Sequence, residues 1–252
     1  MEKQTISLTL PYGYVRKVSF SISPGECILL AGPNGCGKTT LLKELAGEGI
    51  VPENHRTFGP RPSHRSAAGP SHSCGHGRPQ FSGTTPSPAS LIPTNIPKVK
   101  GFTVEEFIRT GCYKESDWAG RLNKEMEDRM NEALEIMGLS KMRGRDISTL
   151  SDGEFQKACI AVGLTRRSSL LLLDEPTAFL DVEGKAMVLG ALKTAAKKAG
   201  IGVIFSSHDL HASLQFCSRV LVMTRDGRFI ESGIRQERMK ALQEAFPGAI
   251  IA

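Results

Sequence analysis

The run Gly32-Pro33-Asn34-Gly35-Cys36-Gly37-Lys38-Thr39 does most to limit what this chain folds into. The residues ahead of it, 27–31, are short and apolar, the pattern of a buried strand. Residues 39–46 behind it read as a helix, with Gly47 placed to end it. A strand that passes through a glycine-rich loop straight into a helix belongs to an α/β sheet, which binds ligands at the carboxyl ends of its strands. The spacing has a physical reason. Glycines let successive backbone N–H groups turn toward one point at a helix N-terminus, making a nest for an anion. Lys38 adds a point charge for β- and γ-phosphates, and the Thr39 hydroxyl is a ligand for Mg²⁺.

The rest of the chain continues the alternation of strand and helix. Ile6, Leu8 and Leu10 alternate with polar residues, as do Val18, Phe20 and Ile22, which predicts half-buried strands. Thr103-Val104-Glu105-Glu106 is a capping-box pattern opening a helix through about Thr110. Leu122, Met126, Met130, Ala133, Leu134 and Met137 recur at helical spacing up to Gly138, and this stripe is read as core. A further helix begins just after Leu150-Ser151-Asp152-Gly153. Residues 182–199, 209–216 and 236–245 read as helices, and 202–206 as a strand. Asp226-Gly227 marks a hairpin between 219–223 and 228–230.

Leu170-Leu171-Leu172-Leu173-Asp174-Glu175 carries the second piece of chemistry. The aliphatic residues predict a buried strand with two carboxylates at its end. Asp174 is placed to hold Mg²⁺, through water, and Glu175 to polarize an attacking water. On these residues alone, a strand followed by two solvated acids is an equal reading.

Leu150-Ser151-Asp152-Gly153-Glu154, the run from Leu170 to Thr177, Phe179-Leu180-Asp181, and Ser206-Ser207-His208-Asp209 stand in the order and spacing of ABC-type ATPases. The chain resembles the nucleotide-binding subunit of an ABC transporter over residues 5–50 and 91–235. The resemblance implies an α/β P-loop NTPase of ABC type, with a mainly parallel core sheet, an N-terminal antiparallel β subdomain and a helical signature subdomain. It implies one domain over 1–252, its core about 1–50 and 168–252 and its helical part about 101–167. Gly32, Pro33, Asn34, Gly35, Cys36, Gly37, Lys38, Thr39 and Thr40 would bind ATP. Thr39 and Asp174 would hold Mg²⁺, and Glu175 and His208 would be catalytic. Ser151 and Gly153 of the signature loop and Asp181 would meet the ATP of a second copy, giving a head-to-tail dimer around two nucleotides. Tyr12, or as second choice Tyr14, would stack on the base.

Gly101-Phe102-Thr103-Val104-Glu105-Glu106-Phe107 and residues 208–233 resemble importers of iron–siderophore, heme and cobalamin complexes. The implied partners are integral-membrane permease subunits and, indirectly, a substrate-binding protein. The implied place is cytoplasmic, peripheral on the inner face of the cell membrane. The N-terminus has no signal-peptide pattern, and the longest aliphatic run is too short to span a bilayer. With 6% aromatic residues the chain is poorly suited to base stacking, and no nucleic-acid partner is expected. The six scattered cysteines fit reduced thiols better than a disulfide frame.

Three departures from the family pattern stand out. Asp152 places a carboxylate at a phosphate-binding turn, which is expected to be slightly repulsive. Thr94 occupies the position of the Q-loop glutamine and is too short to reach Mg²⁺, with Gln80 as the alternative. Residues 51–90 hold seven of the fourteen prolines and four of the six histidines, with no Leu, Ile or Met. That composition is not expected to form core strands, and disorder is its default. Three readings of it remain open: a disordered insertion, a metal site at His72, Cys74 and His76, or an out-of-frame stretch between two compensating frameshifts.

Overall fold

A computed structural model describes residues 4–10, 14–48, 80–81, 89–113, 115, 122–233 and 235–246. Tyr12, the His72, Cys74 and His76 pattern and most of the proline-rich stretch lie outside the described residues.

Two sheets organize the described chain. β1 (Gln4–Thr9) and β2 (Lys17–Ile22) pair antiparallel with Ile6 opposite Phe20 and Leu8 opposite Val18, so the predicted apolar alternation lies on one face. β3 (Cys27–Ala31) leads into α1 (Lys38–Leu45). The short β4 (Gln80–Phe81) pairs antiparallel with β1. This short edge strand is not expected from the composition of residues 51–90, and it is not one of the core strands that composition argues against. The physical reason is that a ladder is made by main-chain groups, and an edge position asks little of the side chains. It also places Gln80 opposite Ser7 in the small sheet, while Thr94 follows β5 (Ala89–Ile92) of the large one.

The large sheet has the order β5, β6 (Leu170–Leu173), β7 (Gly202–Ser206), β3, β8 (Arg219–Met223), β9 (Phe229–Ser232). It is parallel as far as β8, and β9 closes it antiparallel across the Asp226-Gly227 turn. Both faces are covered, which is why its strands are aliphatic throughout. Leu170 and Leu172 point toward β1, β2 and α1, with Ile28, Leu30 and Leu42. Leu171 and Leu173 point the other way, with Leu29, Phe205 and the helical layer.

That layer is built by α2 (Val104–Arg109), α3 (Lys124–Ile136), α4 (Asp152–Thr165), α5 (Val182–Ala199) and α7 (Arg235–Ala245), with the short α6 (Leu210–Leu214) after β7. Met126, Met130, Ala133 and Leu134 form the buried stripe of α3, as the spacing predicts. α4 is the most enclosed of these helices. It buries Phe155, Ala158, Cys159, Ile160, Ala161 and Val162, and so presents no polar face along its middle. Gly163 lets it approach the sheet: a Cβ there would lie 2.6 Å from Leu171 Cδ1 and 3.1 Å from Ile92 Cδ1. The five described cysteines are free and buried. Burial pushes the Cys27 and Cys159 thiols up to about 12, so they pack as small apolar groups.

Candidate nucleotide site

β6, β7 and β3 are neighbors in the sheet, and their carboxyl ends bring together residues far apart in the chain. The loop from Gly32 to Gly37 leaves β3 and enters α1. Gly35 and Gly37 have φ of 77° and 107°, in the left-handed region that glycine adopts freely. At Gly32 the constraint is close approach: a Cβ would lie 2.5 Å from the Met223 carbonyl and 2.7 Å from Cys36 Sγ. Cys36 is buried behind the loop, and burial pushes its thiol up despite the Lys38 ammonium nearby. Gly37, the N-cap of α1, supplies no side-chain cap, and the first turn has no acid. Those N–H groups and the positive end of the helix are therefore kept for an outside anion. Lys38 is buried and donates to the carbonyls of Gly32 at 2.8 Å and Pro33 at 3.3 Å. Two carbonyl dipoles solvate this ammonium without neutralizing it, which favors a polyanion beside it.

The Asp174 carboxylate is held at both oxygens. Thr39 Oγ1 donates to Oδ2 at 2.8 Å, and Ser206 Oγ donates to Oδ1 at 2.7 Å. Ser206 also accepts from the Glu175 backbone N–H at 2.8 Å, so one buried hydroxyl aligns both acids. Glu175 has φ of 48°, left-handed backbone in a residue that carries a Cβ. This turn aims its side chain across the sheet end, where Oε1 lies 2.5 Å from His208 Nε2. Lys185 of α5 pairs with Asp209 at 2.8 Å and fixes the residue after His208. That hydrogen bond, with one from the Ala212 N–H, holds the Asp209 carboxyl below its usual range.

The structure thus brings Lys38, Thr39, Asp174, Glu175 and His208 to one edge. Ser206 and Lys185 complete it. The residue pattern points to Ser206 only through its place in Ser206-Ser207-His208, and nothing in the sequence marks Lys185. Thr94 lies beside this edge and donates from Oγ1 to the Asp174 carbonyl at 2.8 Å.

Ser151, Gly153 and Asp181 instead line a groove of about 600 Å³ with Asp152, Phe179 and Met187. Ser151 caps α4 in a reciprocal box: Glu154 N–H donates to Ser151 Oγ at 3.2 Å, and Ser151 N–H donates to Glu154 Oε2 at 2.9 Å. Asp181 caps α5 by accepting from the Gly184 N–H at 2.7 Å. Phe179 and Val182 beside it are each 85% exposed. Asp152 is not left as a bare repulsive charge, because Lys98 Nζ lies 2.6 Å from its Oδ1. The sequence alone does not foretell that partner. Tyr14 is 57% exposed, and the placement of Tyr12 lies outside the described residues.

The ABC transporter family model matches residues 15–178. The chain belongs to the ABC transporter family. Among similar ABC proteins is the petrobactin import ATP-binding protein FpuC of Bacillus anthracis, 31% identical over 88% of this chain and 76% of its own length. The iron(3+)-hydroxamate import ATP-binding protein FhuC of Bacillus subtilis (strain 168) is 31% identical over 93% and 83%. The zinc import ATP-binding protein ZnuC of Alcanivorax borkumensis is 31% identical over 98% and 83%. A solved nucleotide-free ATP-binding cassette from an ABC transporter superposes with a TM-score of 0.72 at 22% identity, over 96% of each chain. This ABC chain is therefore an ATP-binding subunit and an ATPase. No helix among its described residues is long and apolar enough to cross a membrane.

Proposed function

We propose that this ABC subunit hydrolyzes ATP in a head-to-tail pair and drives import of an iron–siderophore type complex through membrane permease subunits. The carrying observation is the shared edge of Lys38, Thr39, Asp174, Glu175 and His208, supported by the iron-chelate importers among its relatives. Residues 32–40 receive the triphosphate, with Lys38 beside the β- and γ-phosphates. Thr39 and Asp174 offer oxygen donors 2.8 Å apart, a donor set that suits Mg²⁺. When bound, the ion would neutralize phosphate charge. Glu175 orients and polarizes the attacking water, and His208 holds the γ-phosphate edge. Ser151 and Gly153 of the other copy close the site with the N-terminus of α4. The subunit works at the inner face of the membrane, held there by the permease.

Phosphate release by wild type and Glu175→Gln tests the chemistry, and equal turnover would sink it. Lys38→Ala tests the cradle, with nucleotide affinity expected to fall. Co-expression with permease subunits of the iron-chelate type and uptake of labeled ferric siderophore tests the cargo. Uptake of zinc in place of the iron complex would overturn that part.

A further inference from the structure

The chain departs from its family's pattern at Thr94 and at Asp152, and the structure joins the two departures. Lys98, four residues beyond Thr94, reaches the start of α4. Its Nζ donates to Asp152 Oδ1 at 2.6 Å and to the Leu150 carbonyl at 2.8 Å, and lies 5.6 Å from the center of the Phe155 ring. All three contacts are to the signature segment. The same stretch of chain is anchored at Thr94, whose hydroxyl is bonded to the carbonyl of Asp174. Residues 94–98 therefore span from the acid end of β6 to the capped end of α4.

Electrostatics gives this link a purpose. Asp152 and Glu154 both lie in the first turn of α4. Carboxylates suit a helix N-terminus as far as the helix is concerned. They oppose any phosphate brought to the N–H groups of the same turn. Glu154 is occupied within the capping box, whereas the Asp152 side chain is 70% exposed and faces the groove. A pair of this kind, with the carboxylate largely exposed, adds little to stability, so folding alone gives it little reason to exist.

We propose that Lys98 is a positioning residue for ATP hydrolysis. By pairing with Asp152, it keeps the signature turn receptive to the triphosphate carried by a second copy. It also ties that turn to the segment leaving β5. The inference rests on the head-to-tail reading above.

The test is a double-mutant cycle on the full chain, with turnover measured at saturating ATP. Lys98→Met, which keeps the aliphatic stem, is expected to lower turnover about tenfold while Asp152 is present, and less than about twofold in an Asp152→Gly background. ATP affinity of the unpaired chain stays as in wild type, because the contacts of Lys98 are to Leu150, Asp152 and Phe155 and not to Lys38 or Thr39. The penalty of Lys98→Met also narrows at high salt, which screens an exposed Asp152 and would leave a purely structural defect in place. An equal penalty in both backgrounds, or none in either, overturns the proposal. Should Lys98→Met fail to fold, Lys98→Arg decides: retained turnover supports a role of charge, and lost turnover overturns it. Glu175→Gln separates the two levels. If it turns over like wild type, the ATPase reading of the site fails; if it is inactive and Lys98→Met is not impaired, only the role of Lys98 fails.

Discussion

Glu175 and His208 meet at 2.5 Å between Oε1 and Nε2, joining the ends of β6 and β7 across the nucleotide edge. The contact keeps the carboxylate from swinging toward solvent and gives the two proposed roles one geometry: a base for water and an imidazole for phosphate. Glu175→Gln is expected to lower turnover by about 100- to 1,000-fold while ATP binding persists. His208→Ala is expected to fall into the same range, because it removes both the proposed phosphate contact and the support of Glu175. Steady-state phosphate release, with ATP binding measured separately, checks both.

Ser206 is fully buried and serves Asp174 and the Glu175 N–H at once. Ser206→Ala leaves a part-buried N–H and one carboxylate oxygen without that partner. The expected cost is about 1–3 kcal/mol of stability, read from urea denaturation. Turnover should drop as well, since both acids lose alignment. A variant with wild-type stability and rate would refute this account of the serine.

Gly153 offers a sharper separation of folding from function. A Cβ at this position would meet nothing nearer than 3.7 Å, at Gly184 Cα and Met187 Sδ. The chain itself has room for alanine in the first turn of α4. Gly153→Ala should therefore be as stable as wild type, or more so by up to about 1 kcal/mol. Turnover should fall about tenfold or more, because the added methyl stands between the turn and an incoming phosphate. Thermal unfolding and ATPase rate on the same sample decide it.

The capping box of α4 predicts a pH dependence. The Ser151 backbone N–H, chiefly, holds the Glu154 carboxyl below its usual range. A carboxyl whose folded pKa is lowered contributes stability that is complete above its unfolded pKa and is lost as pH falls through the folded one. The advantage of wild type over Glu154→Ala should be constant from neutrality down to about pH 4.5 and vanish below it. Denaturation midpoints across that range measure it. An advantage that grows on acidification would reverse the assignment.

Much of this was legible in the residues. Buried strands such as Cys27–Ala31 and Leu170–Leu173 are short aliphatic runs bounded by chemistry-bearing loops, and they appear at the expected bounds. The Thr103 and Glu106 box forms both of its bonds, because its donors and acceptors lie within four residues of one another. What sequence did not disclose are contacts between residues distant in the chain that have no fixed spacing. Lys98 and Asp152, Ser206 and Asp174, and Lys185 and Asp209 are set by how sheet and helices stack. The short strand Gln80–Phe81 escaped for a different reason, since it depends on backbone pairing and not on side-chain pattern. Tyr12 lies outside the described residues, so base stacking stands as read from the resemblance.

The left-handed backbone of Glu175, with φ of 48°, puts durability and activity in opposition at one residue. Most side chains with a Cβ are strained there by about 1–2 kcal/mol, asparagine and aspartate less so, and glycine relaxes the turn most fully. With Glu175 in its proposed catalytic role, selection for heat resistance alone would drift this position to glycine and yield a sturdier protein that no longer turns over ATP. A stabilizing library should therefore be screened with position 175 fixed.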